Sequence, residues 1–249
     1  MIITDLMILL YALDQGVDIL YKYRDSQELR KYLALYQLEG IIHKDMEEYH
    51  EFHRFKKGDL LCELGEPLRY FYILLKGNVK VYTTSDNGKI LTLRIFDTLT
   101  NLGDIELITG TKYRCSVEVL SNSLCLAFPM QVIQKIGLND NAFLRYLCSD
   151  LCNKFDHITS VSSSNILYPL RNRLASFMLE YLSADSNVIT FPYSHKELAE
   201  LLGTTYRHLT RSLGELESRG LIEMVDGTIY VLDEVNLRKL HVETYPHKV

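Results

Sequence analysis

The stretch Ser194-His195-Lys196-Glu197-Leu198-Ala199-Glu200-Leu201-Leu202-Gly203-Thr204-Thr205-Tyr206-Arg207-His208-Leu209-Thr210-Arg211-Ser212-Leu213 decides the C-terminal fold. Ser194 caps a helix, and Glu197, three residues on, completes a capping box. Leu198, Leu201 and Leu202 recur at helical spacing, and Ala199 is small where a second helix approaches. Gly203 supplies the left-handed backbone that ends the first helix. Thr205 caps the next helix, whose buried face is Leu209, Leu213 and Leu216. Two short helices joined by a tight Gly-containing turn predict a helix-turn-helix. An ordinary helical hairpin with a solvated charged face is the plainer alternative.

The second helix presents Tyr206, Arg207, Thr210 and Arg211 on its outer, N-terminal side. These residue types reach base edges in a major groove, Arg bonding guanine O6 and N7 together. Ser194, His195, Lys196, Thr205 and His208 complete the candidate contact set, with phosphate as the partner of the basic members. Downstream, Leu221–Val225 and Thr228–Leu232 read as strands around Asp226-Gly227, a strong two-residue hairpin signal. Helix-turn-helix plus hairpin makes a winged helix. From Asn165 to Val249 there are nine Lys/Arg and eleven Asp/Glu, so positive charge is local to the motif rather than general.

Working outward, Leu144, Leu147, Leu151, Phe155 and Ile158 step by threes and fours within a long helix placed at 138–164. That spacing is a seam between paired helices, or a stripe packed on the chain's own core. Ser162-Ser163-Ser164-Asn165 is expected to break it as a hinge. Residues 49–137 differ in texture: short Val/Ile/Leu/Tyr runs are cut by Gly58, Gly65, Gly77, Gly88, Gly103 and Gly110. That punctuation predicts an antiparallel sandwich or barrel, closed by Leu124–Phe128 before Pro129. Residues 1–48 carry helical spacing (Leu29, Leu33, Tyr36, Ile41) and predict two or three helices. The domain plan is therefore a helical extension at 1–48, a β domain at 49–137, a pairing helix at 138–164 and a winged helix at 165–249.

The chain has 249 residues, 47% of them hydrophobic, and a net charge of −5. This composition carries a core and excludes a generally basic binder. Five cysteines without a CxxC pair fit a reducing cytoplasm better than a disulfide framework. The apolar start is interrupted by Asp5 and reads as neither a signal peptide nor a membrane span. No P-loop, HExxH or paired nucleophile and base stands out, so the expectation is a non-enzyme.

Order and punctuation together resemble the Crp/Fnr superfamily of bacterial transcription regulators. The resemblance rests on Lys57-Gly58-Asp59-Leu60, Gly65, Tyr72–Val79, Gly88, Gly103-Asp104, Leu124–Pro129, Arg173-Leu174-Ala175 and the winged helix, and covers about residues 52–235. Within it, Gly103–Ile108, Cys125–Met130, Phe143–Cys148 and Tyr206–Leu209 look most like the YeiL-like branch. The resemblance implies an α+β fold: a helical extension, a cyclic-nucleotide-binding-type β-roll (jelly-roll-like), a dimerisation helix and a winged helix-turn-helix. It implies a homodimeric, cytoplasmic regulator on a palindromic operator, with double-stranded DNA and a second copy as partners and RNA polymerase as a further candidate. A cyclic-nucleotide-binding interaction module without DNA binding is the alternative.

For an effector, the resemblance singles out Gly103, Asp104, Arg114, Cys115 and Thr159. Arg114 would fork onto a phosphate, an acid would accept a ribose hydroxyl, and Thr159 falls where the long helix touches the base. Two departures are visible: Asp104 is shorter than the family's Glu, and Cys115 replaces a hydroxyl, although Ser116 lies beside it. The same residues also fit a structural role, with Arg114 paired to Asp104 or Glu106. A cyclic nucleotide is the candidate ligand. Residues 1–61 contain no cysteine, so the family's N-terminal iron–sulfur arrangement is absent. Cys62, Cys115 and Cys125 read as core residues. Cys148 and Cys152, four apart on the pairing helix, read either as packing or, across a two-fold axis, as four thiols for a cluster, a zinc or an intersubunit disulfide.

Overall fold

Along Tyr70–Lys76, consecutive side chains enter opposite faces of one sheet, and both faces are buried. Phe71, Ile73 and Leu75 join one hydrophobic cluster, Tyr72 and Leu74 another. The partner strand Ser123–Pro129 divides in the same way, Leu126 and Phe128 against Cys125 and Ala127. A continuous apolar run, rather than an alternating one, is what a strand covered on both sides requires.

The structure is a computed structural model and describes residues 21–85, 90–97, 99–183, 186–189, 191 and 194–241. It divides into two compact units, one within Met1–Thr83 and Ile95–Leu151, the other within Thr84–Arg94 and Cys152–Val249. The first unit holds β1 (Tyr21–Tyr23), β2 (Glu51–Phe55), β4 (Tyr70–Lys76), β7 (Thr100–Leu102) and β9 (Ser123–Pro129) in a five-stranded sheet of order β1-β2-β9-β4-β7. A second sheet orders β3 (Leu60–Cys62), β8 (Ser116–Val119), β5 (Val79–Thr84) and β6 (Ile90–Phe96) as β3-β8-β5-β6. Phe55, Tyr72, Leu74, Val117 and Val119 belong to the roll's own cluster. The other face of the five-stranded sheet is covered by α1 (Ser26–Leu35) and by α4 (Met130–Lys135), which follows α3 (Asp104–Thr109) along the chain. Asp25 caps α1 by accepting from the Gln27 and Glu28 amides, and Leu29, Tyr32 and Leu33 bury its inner stripe.

The N-terminal segment is not the purely helical one that its spacing predicts. Residues 21–48 form helices at Ser26–Leu35 and, as α2, at Lys44–Glu47, but Tyr21–Tyr23 adds an edge strand to the sheet. Three residues are too few to show a period; Tyr23 is held by stacking on Phe52. Residues 1–20 lie outside the described part. The long helix is also placed differently. A 3₁₀ turn at Gly137–Asn139 precedes α5, which runs Asn141–Leu167 without a break at Ser162–Asn165. Serine costs a helix interior only a few tenths of a kcal/mol, and Ser164 is fully buried. The helix stops instead before Pro169, whose ring restricts Tyr168 and which has no N–H to continue the ladder.

Within the roll, His53 is buried, with Nε2 2.8 Å from the Glu51 carboxylate and Nδ1 3.3 Å from the Tyr72 hydroxyl. Burial pushes its pKa down to about 4, against the pull of Glu51. The unfolded chain therefore binds this proton first. Stability is full above pH 6.5 and falls as pH drops towards 4, by roughly 3 kcal/mol at most. Urea unfolding at pH 7.5 and pH 4.5 measures this, and His53→Gln is expected to lose markedly less over that interval. Equal losses in the two proteins would assign the pH dependence elsewhere.

Candidate nucleic-acid interface and sensor residues

The second unit is built on α6 (Leu170–Tyr181), α7 (His195–Leu201) and α8 (Tyr206–Ser218). Leu174, Met178, Leu198, Leu209 and Leu213 share one buried cluster. The capping box is present: Ser194 Oγ accepts from the Glu197 amide, and Glu197 accepts from the Ser194 amide at 2.7 Å. Gly203 follows at φ +59, and a Cβ there would meet Asn165 Nδ2 at 3.1 Å. Thr205 Oγ1 accepts from the His208 amide at 3.2 Å and so starts α8.

The start of α8 sets the exposed surface. Tyr206 (56% exposed), Arg207, His208, Thr210 and Arg211 all face solvent, as do Ser194 and Lys196, while His195 is half-buried. Arg211 Nε lies 3.9 Å from Glu215, an exposed pair that holds it only weakly. Thr210 bonds back to the Tyr206 carbonyl. The helix N-terminus adds its positive dipole end to this basic face. β11 (Ile222–Val225) and β12 (Thr228–Val231) form the wing, with β10 (Val188–Ile189) as a third strand. Asp226 at φ 49 and Gly227 at φ 80 make its two-residue turn.

Sequence reasoning missed Arg173. It is buried, and its guanidinium donates to the Tyr168 carbonyl, the Asn165 side chain and the Leu202 carbonyl. One side chain thus holds the end of α7 and the α5–α6 junction together. The signal was present: Leu170, Arg173, Leu174, Phe177 and Met178 share one helical stripe, and a charge on an apolar stripe needs buried partners. Glu200 on α7 was also passed over. Its carboxylate accepts from the buried Thr92 hydroxyl at 2.7 Å, within the same unit.

The effector residues divide between the units. In the first, Gly103 lies at φ +88 beside the Tyr113 ring, and α3 follows with Asp104 and Glu106 buried. Glu106 accepts from the Arg114 amide at 3.0 Å. The Arg114 side chain is exposed and forms no ion pair among the described residues, so pairing to Glu106 runs through the backbone instead. Cys115 is half-buried, and burial raises its thiol pKa. Ser116 Oγ already accepts from the Leu64 amide. Thr159 belongs to the second unit, its hydroxyl bonded back to the Phe155 and Asp156 carbonyls.

A β-roll, a long helix and a winged helix-turn-helix define a sensor-linked DNA-binding regulator. Residues 52–140 match the cyclic nucleotide-binding domain family and residues 172–240 the Crp-like helix-turn-helix domain family. The chain is 34% identical over 169 residues to regulatory protein YeiL of Escherichia coli O157:H7, covering 68% of this chain and 75% of that protein. It is 24% identical to the global nitrogen regulator of Synechococcus elongatus, covering 74% of this chain and 86% of that one. A crp/fnr-family structure from Eubacterium rectale superposes with a TM-score of 0.68 at 19% identity, covering 82% of this chain and 96% of the other. The chain belongs to the Crp/Fnr family of transcription regulators. It is a DNA-binding regulator with a sensor domain, and the interaction-module alternative falls because these relatives are regulators. Among the described residues no helix is long and apolar enough to cross a membrane.

Replacing Arg173 with Met keeps the bulk but leaves the Leu202 and Tyr168 carbonyls without their donor. The expected cost is about 3 kcal/mol, the range for buried charge-assisted bonds left half-made. Thermal or urea unfolding of the full chain reads it. A change within about 0.5 kcal/mol would show that the clamp contributes little.

Proposed function

We propose that the protein acts as a homodimer on a two-fold-symmetric operator, paired through α5, with α8 of each subunit in the major groove of one half-site. The supporting observation is the exposed, capped N-terminal turn of α8, carrying Tyr206, Arg207, Thr210 and Arg211. In this reading Arg207 and Arg211 address base edges, and Tyr206 and Thr210 contact a phosphate or a thymine methyl. His195, Lys196 and His208 meet phosphates, while Ser194 and Thr205 hold the helix starts in place. Half-sites fall about one helical turn apart. The cytoplasm is its site of action, and RNA polymerase is its further partner at promoters.

The β-roll senses. Arg114, exposed next to Cys115 in the chain, is the residue for an anionic effector of cyclic-nucleotide type, with Gly103 and Asp104 as further candidates. The Glu106 carboxylate occupies the Arg114 amide, so the guanidinium carries the contact.

Arg211→Ala is expected to weaken binding to the preferred site by about 1–3 kcal/mol and to relax base choice at one position, whereas Lys196→Ala weakens all duplexes evenly and lowers the salt slope by about 1. Anisotropy titrations at several salt concentrations separate the two. Failure of the wild-type chain to enrich any palindrome from random duplex would overturn the reading. Calorimetry with cyclic AMP tests the sensor: heat of binding that Arg114→Gln removes, at an unchanged melting temperature, is the expected result. Binding that survives Arg114→Gln would dismiss Arg114 as the anion contact.

A further inference from the structure

Helix α5 has two faces with different uses. Phe143 and Leu147 are buried in the first unit's core, with Leu151 packed beside them, and Ser164 is fully buried near the other end. The opposite face carries Cys148, Cys152, Phe155, Thr159, Ser162 and Ile166, all exposed. Phe155 is 69% and Ile166 84% exposed. Their spacing is four, three, four, three and four residues, the repeat that keeps one stripe of a helix facing a parallel partner. The seam therefore differs from the one expected from sequence. Leu147 and Leu151 face their own subunit, and the outward stripe carries cysteines where the inward one carries leucines.

We propose that Cys148 and Cys152 are a peroxide-responsive cross-linking site between two copies of this chain, each thiol bonding to its own counterpart across the two-fold axis. This rests on the homodimer proposed above. In a parallel pair in register, every seam residue meets its own copy. A bond between Cys148 and Cys152 within one helix is disfavoured, because side chains four apart on a helix stand about 5–6 Å apart at Cβ, beyond the usual 3.5–4.5 Å of a disulfide. The chemistry balances. One thiolate attacks a peroxide oxygen, the O–O bond breaks, and water leaves once protonated, giving a sulfenic acid. The counterpart thiol then attacks that sulfur, the S–O bond breaks, and a second water leaves with the disulfide formed. The oxidant is consumed and both thiols are oxidised.

Location gives selectivity. Cys148 and Cys152 are the exposed cysteines; Cys62 and Cys125 are buried and Cys115 is half-buried. Burial also pushes the Cys62 thiol up to about 12 and Cys125 well above the usual range, which keeps both as unreactive thiols. A bond at Cys148 or Cys152 fixes the two α5 helices at one register and removes their freedom to rotate about each other.

The test uses the full chain. Sedimentation under reducing conditions gives the oligomeric state, and a non-reducing gel after hydrogen peroxide and alkylation gives the cross-link. The expected outcome is a reduced dimer that becomes a covalent dimer reversible by dithiothreitol. Peptide mapping then finds Tyr146–Lys154 joined to a copy of itself. The Cys148→Ser, Cys152→Ser double variant remains a dimer and loses the cross-link. Placing Ser162→Cys in that double variant restores a cross-link, and Ser163→Cys, off the seam, does not. A reduced dimer that never cross-links, or a bond closed within one Tyr146–Lys154 peptide, overturns the cross-linking site and leaves the homodimer standing. A monomer under reducing conditions overturns the homodimer and this inference with it.

Discussion

The antiparallel pair β4–β9 is the constraint on which the first unit depends. Its register sets Phe71 opposite Phe128, Ile73 opposite Leu126 and Leu74 opposite Cys125. Because side chains alternate with a period of two, a slip by one residue would exchange the two clusters wholesale. One face fills the roll, and the other is a docking surface for α1, α4 and the start of α5. Elements far apart in the chain therefore share one frame. Tyr36, at the end of α1, donates to the Leu75 carbonyl at the end of β4. Tyr146, on α5, donates to Asn101 on β7, and Asn101 donates to Asp150 one turn further along the helix. The helix that leaves this unit is thus fixed by hydrophobic burial at Phe143 and Leu147 and by a directional polar bridge at Asn101. The latter is sensitive to any displacement of β7 or of α3 next to it.

In the second unit the same division of labour recurs. Apolar residues hold α7 and α8 together, and polar groups set where each helix begins and ends. Ser194 and Thr205 fix the starts, and Arg173 fixes the end of α7. Without such partners the terminal amides and carbonyls of short helices are satisfied only by water, and the helix ends fray. A reading surface needs the opposite. Tyr206, Arg207 and Arg211 are exposed, and the backbone that carries them is anchored at both sides of the turn. The net charge of −5 does not conflict with DNA binding, because Lys196, Arg207 and Arg211 are exposed near the start of α8, where the helix dipole already favours an anion.

Features specified within a few residues were legible in the sequence. The capping box, the glycine turn, the Asp-Gly wing and the buried leucines of α8 all depend on neighbours no more than four or five positions away. An antiparallel β domain was legible from its glycine punctuation and apolar runs, and its roll form from the family resemblance. What escaped depends on distant closure. The strand at Tyr21–Tyr23 exists because β2 offers an open edge and Phe52 a stacking partner. Ser162–Asn165 looked like a breaker because local propensity was weighed without the burial of Ser164. Arg173 was read as part of a family signature, and only the approach of Leu202 reveals what it bonds. Glu106 behaves similarly: its carboxylate takes the Arg114 amide eight residues on, which no spacing rule announces.

Helix α5 shows how one sequence meets two demands at once. Its inward stripe is apolar at Phe143, Leu147 and Leu151 and commits that part of the helix to its own subunit. Its outward stripe mixes Phe155 and Ile166 with Cys148, Cys152, Thr159 and Ser162. Leucine or isoleucine at those four positions would bury far more apolar area between subunits and lock one packing arrangement. In the proposed dimer, small and polar residues at these positions bury little apolar area between the helices and so favour one rotation over another only weakly. A signalling protein has use for that balance, since an effector shifts an equilibrium only by its differential affinity for the two states. A weak seam would keep the shift it must produce within reach of a few contacts.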